Sequence, residues 1–435
     1  MISPSPQRRR FLLFLTGGIG QQLGAYVQGG VVTLSAIIVL DMGYGQIDST
    51  QTVGTVLALL LALPLGVLID RVRRRPVLVA TGLLSAGLLA SVALAIWLRV
   101  LTVPHFMVMV VALAILQAVG SGTQVAYLPD VVGRDRLVPV NAVLSGVASI
   151  GFLVFPPLAD GGSDAVVSVV LSVAAVAFAA SALLFRGVDA PEEPSRPRTR
   201  WWREAVEGVR FTLTHPVLRA ITVYLMASVL LEPVIEEATR APSRADGTHD
   251  DLIELSRMAI YAAPVIGALL TALLYRSVGT FRLAWLAILV TQPFALLLAL
   301  TDTAWGLIWY LLGTFVPWAG WTITALALLS HRQVITPGRL LGRTGGTLVL
   351  FTGLVGVAGW FLELLADSFV DFLGDTELFL EAGTFAGIRS LAGLPVLVLG
   401  TAGLLAAAVP LLKVRHLATS WPPPVTLPTS SPREG

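Results

Sequence analysis

The chain has 435 residues, of which 55% are hydrophobic and only 13% are charged, and its mean hydropathy is +0.81. Because a soluble domain carries about 25% charged residues, this composition excludes a water-soluble globule and indicates an integral membrane protein. The net charge of +2 gives no indication of nucleic-acid binding. The chain lacks Cys, and its five His residues have no ligand spacing, so we expect neither a metal site nor a cofactor.

Twelve stretches of the sequence are long and apolar enough to cross a bilayer core, which needs roughly 20 apolar residues in a helix. The first stretch is too long for the core of a signal peptide and has no small-residue cleavage site, so we expect it to remain as a span. The sequence therefore predicts an all-α integral membrane protein. Its predicted spans are 12–40, 51–69, 77–98, 103–127, 140–159, 166–185, 217–235, 257–275, 283–300, 304–330, 345–366 and 388–412.

Basic residues occur in alternate loops between these spans. Loops rich in Lys and Arg stay in the cytoplasm, whereas the intervening loops 41–48 and 159–164 contain neither residue and the acidic loop near 236–256 contains only Arg240 and Arg244. We therefore expect a multi-pass protein of the plasma membrane with both termini in the cytoplasm. The cytoplasmic side is marked by a cluster at 186–219 and by Arg8, Arg9, Arg10, Arg71, Arg73, Arg74, Arg75, Arg134, Arg136, Arg276, Arg282, Arg332, Arg339, Arg343, Lys413 and Arg415.

A polar segment divides the chain into two six-span halves. Four apolar residues at its end recur at helical spacing, which predicts an amphipathic helix along the inner membrane surface; they are Trp202, Val206, Val209 and Leu213. The tail is rich in Pro, Ser and Thr, so we expect it to be disordered. The predicted units are the first half 1–185, the linker 186–216, the second half 217–415 and the tail 416–435.

The loops after spans 4 and 10 resemble each other. Their basic segments align without a gap at one offset, which pairs Arg136 with Arg339. A second, weaker similarity pairs Arg71, after span 2, with Arg276, after span 8. Because both similarities occur after corresponding spans, they indicate two related halves, as in transporters built from repeats.

The loop between spans 2 and 3 carries Gly66, Asp70, Arg71, Arg74 and Arg75 in the segment GVLIDRVRRRP. This segment resembles the signature loop of the major facilitator superfamily. A Gly on a membrane helix permits close approach of a neighbouring helix. An Asp at a helix end beside basic residues can form ion pairs across a gate. The resemblance thus implies a gate on the cytoplasmic side.

Two further segments, 127–142 and 332–343, are similar to the drug and siderophore exporter branch of this superfamily, which is typified by macrolide efflux and enterobactin export proteins. The linker stretch 207–219 is similar to the central loop of that branch. The resemblance implies twelve helices in two pseudo-symmetric halves, with spans 1, 4, 7 and 10 around a central cavity. Leu116 stands where several proton-coupled members of the superfamily have Arg. The chain thus differs from those members at a position that they use for proton coupling.

Polar residues recur at helical spacing on these four spans. Uncharged polar groups in hydrocarbon face protein or water, so they indicate either interhelical hydrogen bonds or a wide amphipathic cavity, and taken together they favour the cavity. Glu232, on span 7, is the candidate for proton coupling, and the alternative is a solvated residue at the cavity mouth. The candidate cavity residues are Gln21, Gln28, Gln117, Ser121, Gln124, Tyr224, Ser228, Trp318 and Trp321.

The single Lys of the chain, Lys413, excludes a GxxxxGK phosphate-binding loop, so uphill transport must use an ion gradient. We expect a monomeric, non-enzymatic secondary active exporter of an amphipathic small molecule, such as a drug or natural product, by proton antiport. Siderophore export by the same mechanism is the first alternative. A membrane scaffold or sensor that retains only the fold is the second, and it predicts loss of the gate segment or of cavity polarity.

Overall fold

The computed structural model describes residues 6–159, 163–190, 200–240, 250–300, 305–374 and 397–419. These residues are almost entirely helical. The first half contains α1 (Pro6–Leu34, continued by a π-helical segment Ser35–Val39), α2 (Tyr44–Arg71), α3 (Arg74–Trp97), α4 (Val103–Val132), α5 (Leu137–Ala159) and α6 (Asp164–Arg186).

The linker contributes one helix and the second half contains seven. The linker helix is α7 (Trp201–Thr214). The second half contains α8 (Pro216–Arg240), α9 (Asp250–Val278), α10 (Thr280–Thr291, continued by a 3-10 segment Gln292–Leu300), α11 (Gly306–Ile335), α12 (Leu341–Gly374), α13 (Leu397–Lys413) and α14 (Arg415–Thr419).

The helices agree with the spans predicted from hydropathy. Within the described residues, nine helices are long and apolar enough to cross a membrane, or ten if α7 and the start of α8, which meet at 92°, count as one bent span. Each of the twelve predicted spans overlaps one of α1–α6 or α8–α13, although 388–396 lies outside the described residues. The protein is thus an all-α, multi-pass membrane protein.

The two similar basic loops also have the same local structure. After α4, Gly133 adopts a φ of 78° and a 3-10 turn, Arg134–Arg136, leads directly into α5. After α11, a 3-10 turn, Gly338–Leu340, leads directly into α12. The sequence echo between the halves therefore corresponds to a repeated helix–turn–helix element.

Small residues allow the helices within each half to approach closely. In the first half, a methyl group added at Gly24 of α1 would lie 2.9 Å from the ring of Phe178 on α6. In the second half, a methyl group at Gly267 of α9 would lie 2.5 Å from the carbonyl oxygen of Ala319 on α11. Membrane helices lack a hydrophobic driving force for association and depend on such backbone proximity, so each half forms a closely packed unit.

The two halves meet where α2 packs on α12 and α5 packs on α9. A methyl group at Gly66 of α2 would lie 2.6 Å from the carbonyl oxygen of Gly342, and one at Gly346 would lie 2.3 Å from that of Ala62. The neighbouring atoms in both cases belong to backbone and cannot move aside. The spacing between α2 and α12 therefore requires Gly at these positions.

Candidate functional site

Several arginines at helix ends contact neighbouring helix ends on one side of the molecule, which we call the arginine-rich face; they include Arg71, Arg74, Arg75, Arg134 and Arg343. Arg74, at the start of α3, forms an ion pair with Asp130 near the end of α4. Arg75 donates a hydrogen bond to the carbonyl oxygen of Arg186 at the end of α6. These contacts connect the helix ends of the first half to each other.

Asp70 connects this face of the first half to the second half. Its carboxylate is fully buried, and it accepts hydrogen bonds from the backbone N–H groups of Gly342 (2.8 Å) and Arg343 (2.9 Å). These N–H groups belong to the first turn of α12. The N–H groups of a first turn have no acceptor within their own helix, and the positive end of the helix dipole lies there. Asp70 therefore caps a helix of the opposite half.

Two arginines of the first half complement this contact at α11 and the turn that follows it. Arg74 donates to the carbonyl oxygen of Gly338 at 2.6 Å. Arg134 donates to the carbonyl oxygen of Val334 and, at 3.3 Å, to that of Thr336. The end of a helix exposes unpaired carbonyl groups and carries a negative partial charge, so a guanidinium group is favoured there.

A buried amide network adds a third connection between the halves. Asn141 Nδ2, on α5, donates to Ser330 Oγ (2.9 Å) and to Gln333 Oε1 (2.7 Å), both on α11. Gln333 Nε2 in turn donates to the carbonyl oxygen of Val125 at 2.9 Å. The sequence does not identify these partners, although two amide side chains at the ends of apolar helices are a signal for such a network.

We call the contacts of Asp70, Arg74, Arg134 and Asn141 with α11, α12 and the turn between them the interhalf cluster. The cluster joins residues that are far apart in the sequence and lies entirely on the arginine-rich face. Its charged groups contact backbone atoms at helix ends and in the turn before α12, and its amide groups contact each other, the Ser330 hydroxyl and a backbone carbonyl of α4. The two halves can therefore separate on this face only if these hydrogen bonds break together.

The linker helix α7 connects to the same region through Glu204. This buried carboxylate accepts hydrogen bonds from Arg71 of α2 (2.9 Å) and from Arg343 of α12 (2.6 Å). On the opposite side of α7, Trp202 and Val206 are exposed, together with Leu213. The amphipathic pattern thus directs an acidic residue toward both halves and leaves an apolar surface without cover from the described residues.

Gln21 and Gln124 lie where α1 and α4 cross. A methyl group at Gly120 would lie 3.0 Å from Gln21 Nε2, and one at Gly18 would lie 2.6 Å from Gln124 Nε2. Each Gln side chain therefore packs against a Gly of the other helix. Gln21 Oε1 and Gln124 Nε2 are buried and have no hydrogen-bond partner among the described residues.

Other candidate residues on spans 1, 4 and 10 also present polar groups. Gln28 Oε1 and Trp318 Nε1 are buried without a hydrogen-bond partner in the described part of the chain. Trp318 packs edge-to-face on Trp321 with ring centroids 6.1 Å apart, and Trp321 is 38% exposed. On α4, Gln117 is half-buried and Ser121 is exposed, and the Ser121 hydroxyl donates to the carbonyl oxygen of Gln117.

The candidate residues of span 7 have a different environment. Tyr224 is only 1% exposed and packs in an apolar cluster with Phe281 of α10 and Leu328 of α11. Ser228 is also buried, and its hydroxyl donates to the Tyr224 carbonyl oxygen. Both side chains are therefore buried within the second half. The Glu232 side chain lies outside the described residues.

Comparison with known families agrees with this architecture. Residues 13–360 match the family model described as Major Facilitator Superfamily. The chain belongs to the major facilitator superfamily. Members of this family are membrane-embedded transporters of small solutes, so the protein is a transporter and not an enzyme. Comparison with curated protein sequences gave no significant match.

Solved structures of the superfamily share the fold. A bacterial homologue of the iron transporter ferroportin in an outward-facing state has a TM-score of 0.71 at 15% identity, over 95% of this chain and 100% of that one. The transporter FucP in the outward conformation has a TM-score of 0.66 at 14% identity, over 93% and 98%. The human organic anion transporter MFSD10 has a TM-score of 0.62 at 16% identity, over 95% and 100%. At this identity the likeness concerns the fold alone.

Proposed function

We propose that this transporter is a secondary active exporter of an amphipathic small molecule, such as a drug or natural product, driven by proton antiport. The interhalf cluster is the observation that carries the proposal. The cluster joins the two halves by hydrogen bonds on the arginine-rich face. Polar groups on α1, α4 and α11, in contrast, have no hydrogen-bond partner among the described residues. Siderophore export and a non-transporting scaffold are the competing functions.

Orientation follows from the charges. Loops rich in Lys and Arg remain on the cytoplasmic side, so we assign the arginine-rich face, both termini and the linker helix α7 to the cytoplasm. With this orientation, the interhalf cluster is a closed cytoplasmic gate and the central cavity opens to the outside. The apolar side of α7 then lies on the inner surface of the plasma membrane, where Trp and Arg side chains are favoured.

Transport requires this gate to open and close in each cycle. An inward-open state must break the Asp70 cap on α12 and the contacts of Arg74 and Arg134 with α11 and its turn. A transported solute can shift the equilibrium between the closed and open states of the gate only by the difference in its affinity for them. The free energy that favours the closed gate therefore has to be small. Water that enters on opening replaces the lost hydrogen bonds, so the net free energy of each bond remains about 0.5–1.5 kcal/mol, or more for charged groups.

The cavity chemistry indicates the solute class. Gln21, Gln28 and Gln124 offer amide donors and acceptors, and Trp318 and Trp321 offer aromatic surface with indole N–H groups. No described side chain of this set carries a charge. Such a site matches a solute with a large apolar body and a few hydrogen-bonding groups, as ligand sites commonly combine apolar walls with a small number of polar contacts.

Glu232 is the proposed coupling residue. It lies on α8, and Pro233 removes one backbone hydrogen bond from the helix at this point. A carboxylate that alternates between a water-filled and an apolar environment exchanges its proton, since burial disfavours the charged form. Glu232→Gln imitates the protonated state, so the variant should bind solute and exchange it downhill but fail to export it against a pH gradient. Export that stays fully dependent on the pH gradient would remove Glu232 from the mechanism.

A growth screen distinguishes the competing functions. The host lacks its own efflux pumps, expresses the protein and is exposed to several drug classes and, separately, to iron limitation. Resistance to amphipathic drugs supports the proposal, whereas growth restored only under iron limitation supports siderophore export. Asp70→Asn provides the matched control because it disables the gate and leaves the cavity residues unchanged. Absence of any phenotype, with wild-type protein present in the membrane, would favour a scaffold.

A further inference from the structure

A cavity of about 500 Å³ lies on the arginine-rich face, at the turn between α9 and α10. It belongs to the second half alone and shares no residue with the interhalf cluster or the candidate solute cavity. The short C-terminal helix α14 forms one of its walls. The residues that line it are Ser277, Val278, Arg282, Trp285, Leu286 and Arg415.

The arginines at this turn and in α14 have no carboxylate partner among the described residues. Arg71 forms an ion pair with Glu204, but Arg276, its equivalent in the second half, has no carboxylate partner in the described part of the chain. The same holds for Arg282 and Arg415, which are exposed to the cavity from two different helices. Two guanidinium groups that line one cavity without a carboxylate partner favour an anionic ligand there.

Trp285 provides a second, independent indication of a ligand. Its indole ring packs against the apolar cluster of the second half, which includes Phe281 and also contacts Val414. Its Nε1–H group is buried and has no hydrogen-bond acceptor among the described residues. Because indole N–H is a donor only, and a buried donor without an acceptor is unfavourable, this group fits an acceptor oxygen supplied from outside the chain.

The surface beyond the cavity is apolar. Val278 and Leu286 line the cavity itself. Leu289 and Val290 lie three and four residues further along α10, on the same helix face as Leu286, and Val290 is 61% exposed. A ligand whose anionic group sits between the arginines therefore meets an apolar stripe that runs toward the middle of the membrane. This combination fits an acyl chain better than it fits a small soluble anion.

We propose that this cavity binds an anionic phospholipid of the adjacent leaflet. The phosphate lies between Arg282 and Arg415 and accepts a hydrogen bond from Trp285 Nε1, and an acyl chain follows Leu286 and Val290. The arginines carry the specificity for net negative charge, since a zwitterionic headgroup brings its own ammonium group to the phosphate.

Native mass spectrometry of the full-length chain in detergent tests the site. The wild-type protein is titrated with phosphatidylglycerol and, in parallel, with phosphatidylcholine. We expect one saturable adduct that forms with phosphatidylglycerol at concentrations at least ~10-fold lower than with phosphatidylcholine. The variant Arg282→Gln/Arg415→Gln removes two charge-assisted contacts and should weaken that adduct at least ~10-fold.

Control variants separate this site from general electrostatics. Arg136→Gln/Arg339→Gln removes the same charge from exposed positions of the same face and should leave the adduct unchanged. Trp285→Phe keeps the ring and removes only the N–H donor, so it should weaken the adduct by less than the double Arg variant. Equal weakening by both double variants, or no weakening by Arg282→Gln/Arg415→Gln, would overturn the proposal.

A competition arm distinguishes a lipid from a soluble anion. The phosphatidylglycerol adduct is measured with and without 10-fold excess of inorganic phosphate over the lipid. An unchanged adduct supports the lipid site, because the acyl chains contribute to binding. Displacement of the lipid by phosphate at that excess would show a site for soluble phosphate and would contradict the assignment to a phospholipid.

Discussion

Replacement of Asp70 by Asn should open the arginine-rich face. Asp70 accepts one hydrogen bond from each of two backbone N–H groups, at 2.8 Å and 2.9 Å, and its side chain is fully buried. Asn has the same shape but only one acceptor oxygen, and its amide group would direct N–H donors toward a second N–H donor. The variant therefore keeps at most one neutral hydrogen bond and loses the charge at the start of α12.

The size of the effect follows from these contacts. Hydrogen bonds to a charged group contribute about 1.5–3 kcal/mol each, against about 0.5–1.5 kcal/mol for a neutral one. Part of the loss is offset because a buried carboxylate has itself lost its hydration. We therefore expect the closed state to lose about 2 kcal/mol, which raises the open-to-closed ratio on this face roughly 30-fold.

Cysteine accessibility measures this ratio directly, since the natural chain contains no Cys. Ala142 of α5 is 3% exposed and packs between the halves against Ala268 of α9 and Leu326 of α11. In an Ala142→Cys background, a membrane-permeant thiol reagent reacts only when the halves separate. The labelling rate should increase roughly 30-fold on addition of Asp70→Asn, in proportion to the open population.

Asp189→Asn is the matched control. The Asp189 side chain is 82% exposed and lies 3.9 Å from Arg75. Asp189→Asn therefore removes one negative charge from the same face, as Asp70→Asn does, but breaks no hydrogen bond of the interhalf cluster. We expect an unchanged labelling rate, as exposed ion pairs contribute little. An Asp70→Asn rate equal to that of the parent, or an equal increase in both variants, would refute the assignment of Asp70 to the closed gate.

Three further changes test other parts of the structure. Gly346→Ala places a methyl group 2.3 Å from a backbone oxygen of α2, so it should abolish transport and accelerate labelling at the gate. Gly345→Ala is the control, because the added methyl group has no atom within 4 Å, and it should keep normal transport. Glu204→Gln weakens the contacts of the linker helix with both halves and should accelerate labelling by less than Asp70→Asn does. A larger acceleration by Glu204→Gln would show that α7, and not Asp70, contributes most to holding the halves together. Single Cys residues at Gly161 and Ser195, both outside the described residues, should react with impermeant reagent from opposite sides of the membrane, and reaction of both from outside would overturn the orientation.

Much of the fold could be predicted from the sequence, because apolar spans and basic loops are local signals. The segment from Gly66 to Arg75 identified the region of the interhalf cluster, and the repeated loops identified the corresponding turns. The partners of Asp70 could not be predicted, since they are backbone N–H groups more than 270 residues away, and every residue type except Pro carries such a group. The role of Glu204 was missed for a similar reason, because the amphipathic pattern of α7 was interpreted only from its apolar side.

Helical spacing also could not tell a cavity from an interhelical contact. Tyr224 and Ser228 share one face of α8, and the sequence predicted that this face lines the cavity. In the structure Tyr224 is buried in an apolar cluster that also contains residues of α10 and α11, and the contacts of this face do not assign it to the cavity. A polar stripe on a membrane helix satisfies its hydrogen bonds equally well against a neighbouring helix or against water, so the neighbour has to be known before the stripe can be assigned.

The central claim of proton-driven export is tested most directly by solute-dependent proton movement in proteoliposomes. The purified protein is reconstituted with a pH-sensitive dye inside, and an amphipathic drug identified in the growth screen is added outside at equal starting pH. Antiport predicts that drug entry drives protons out and raises the internal pH, in wild-type protein but not in Glu232→Gln. A fall in internal pH, which indicates symport, or drug uptake with no change in pH would contradict the account.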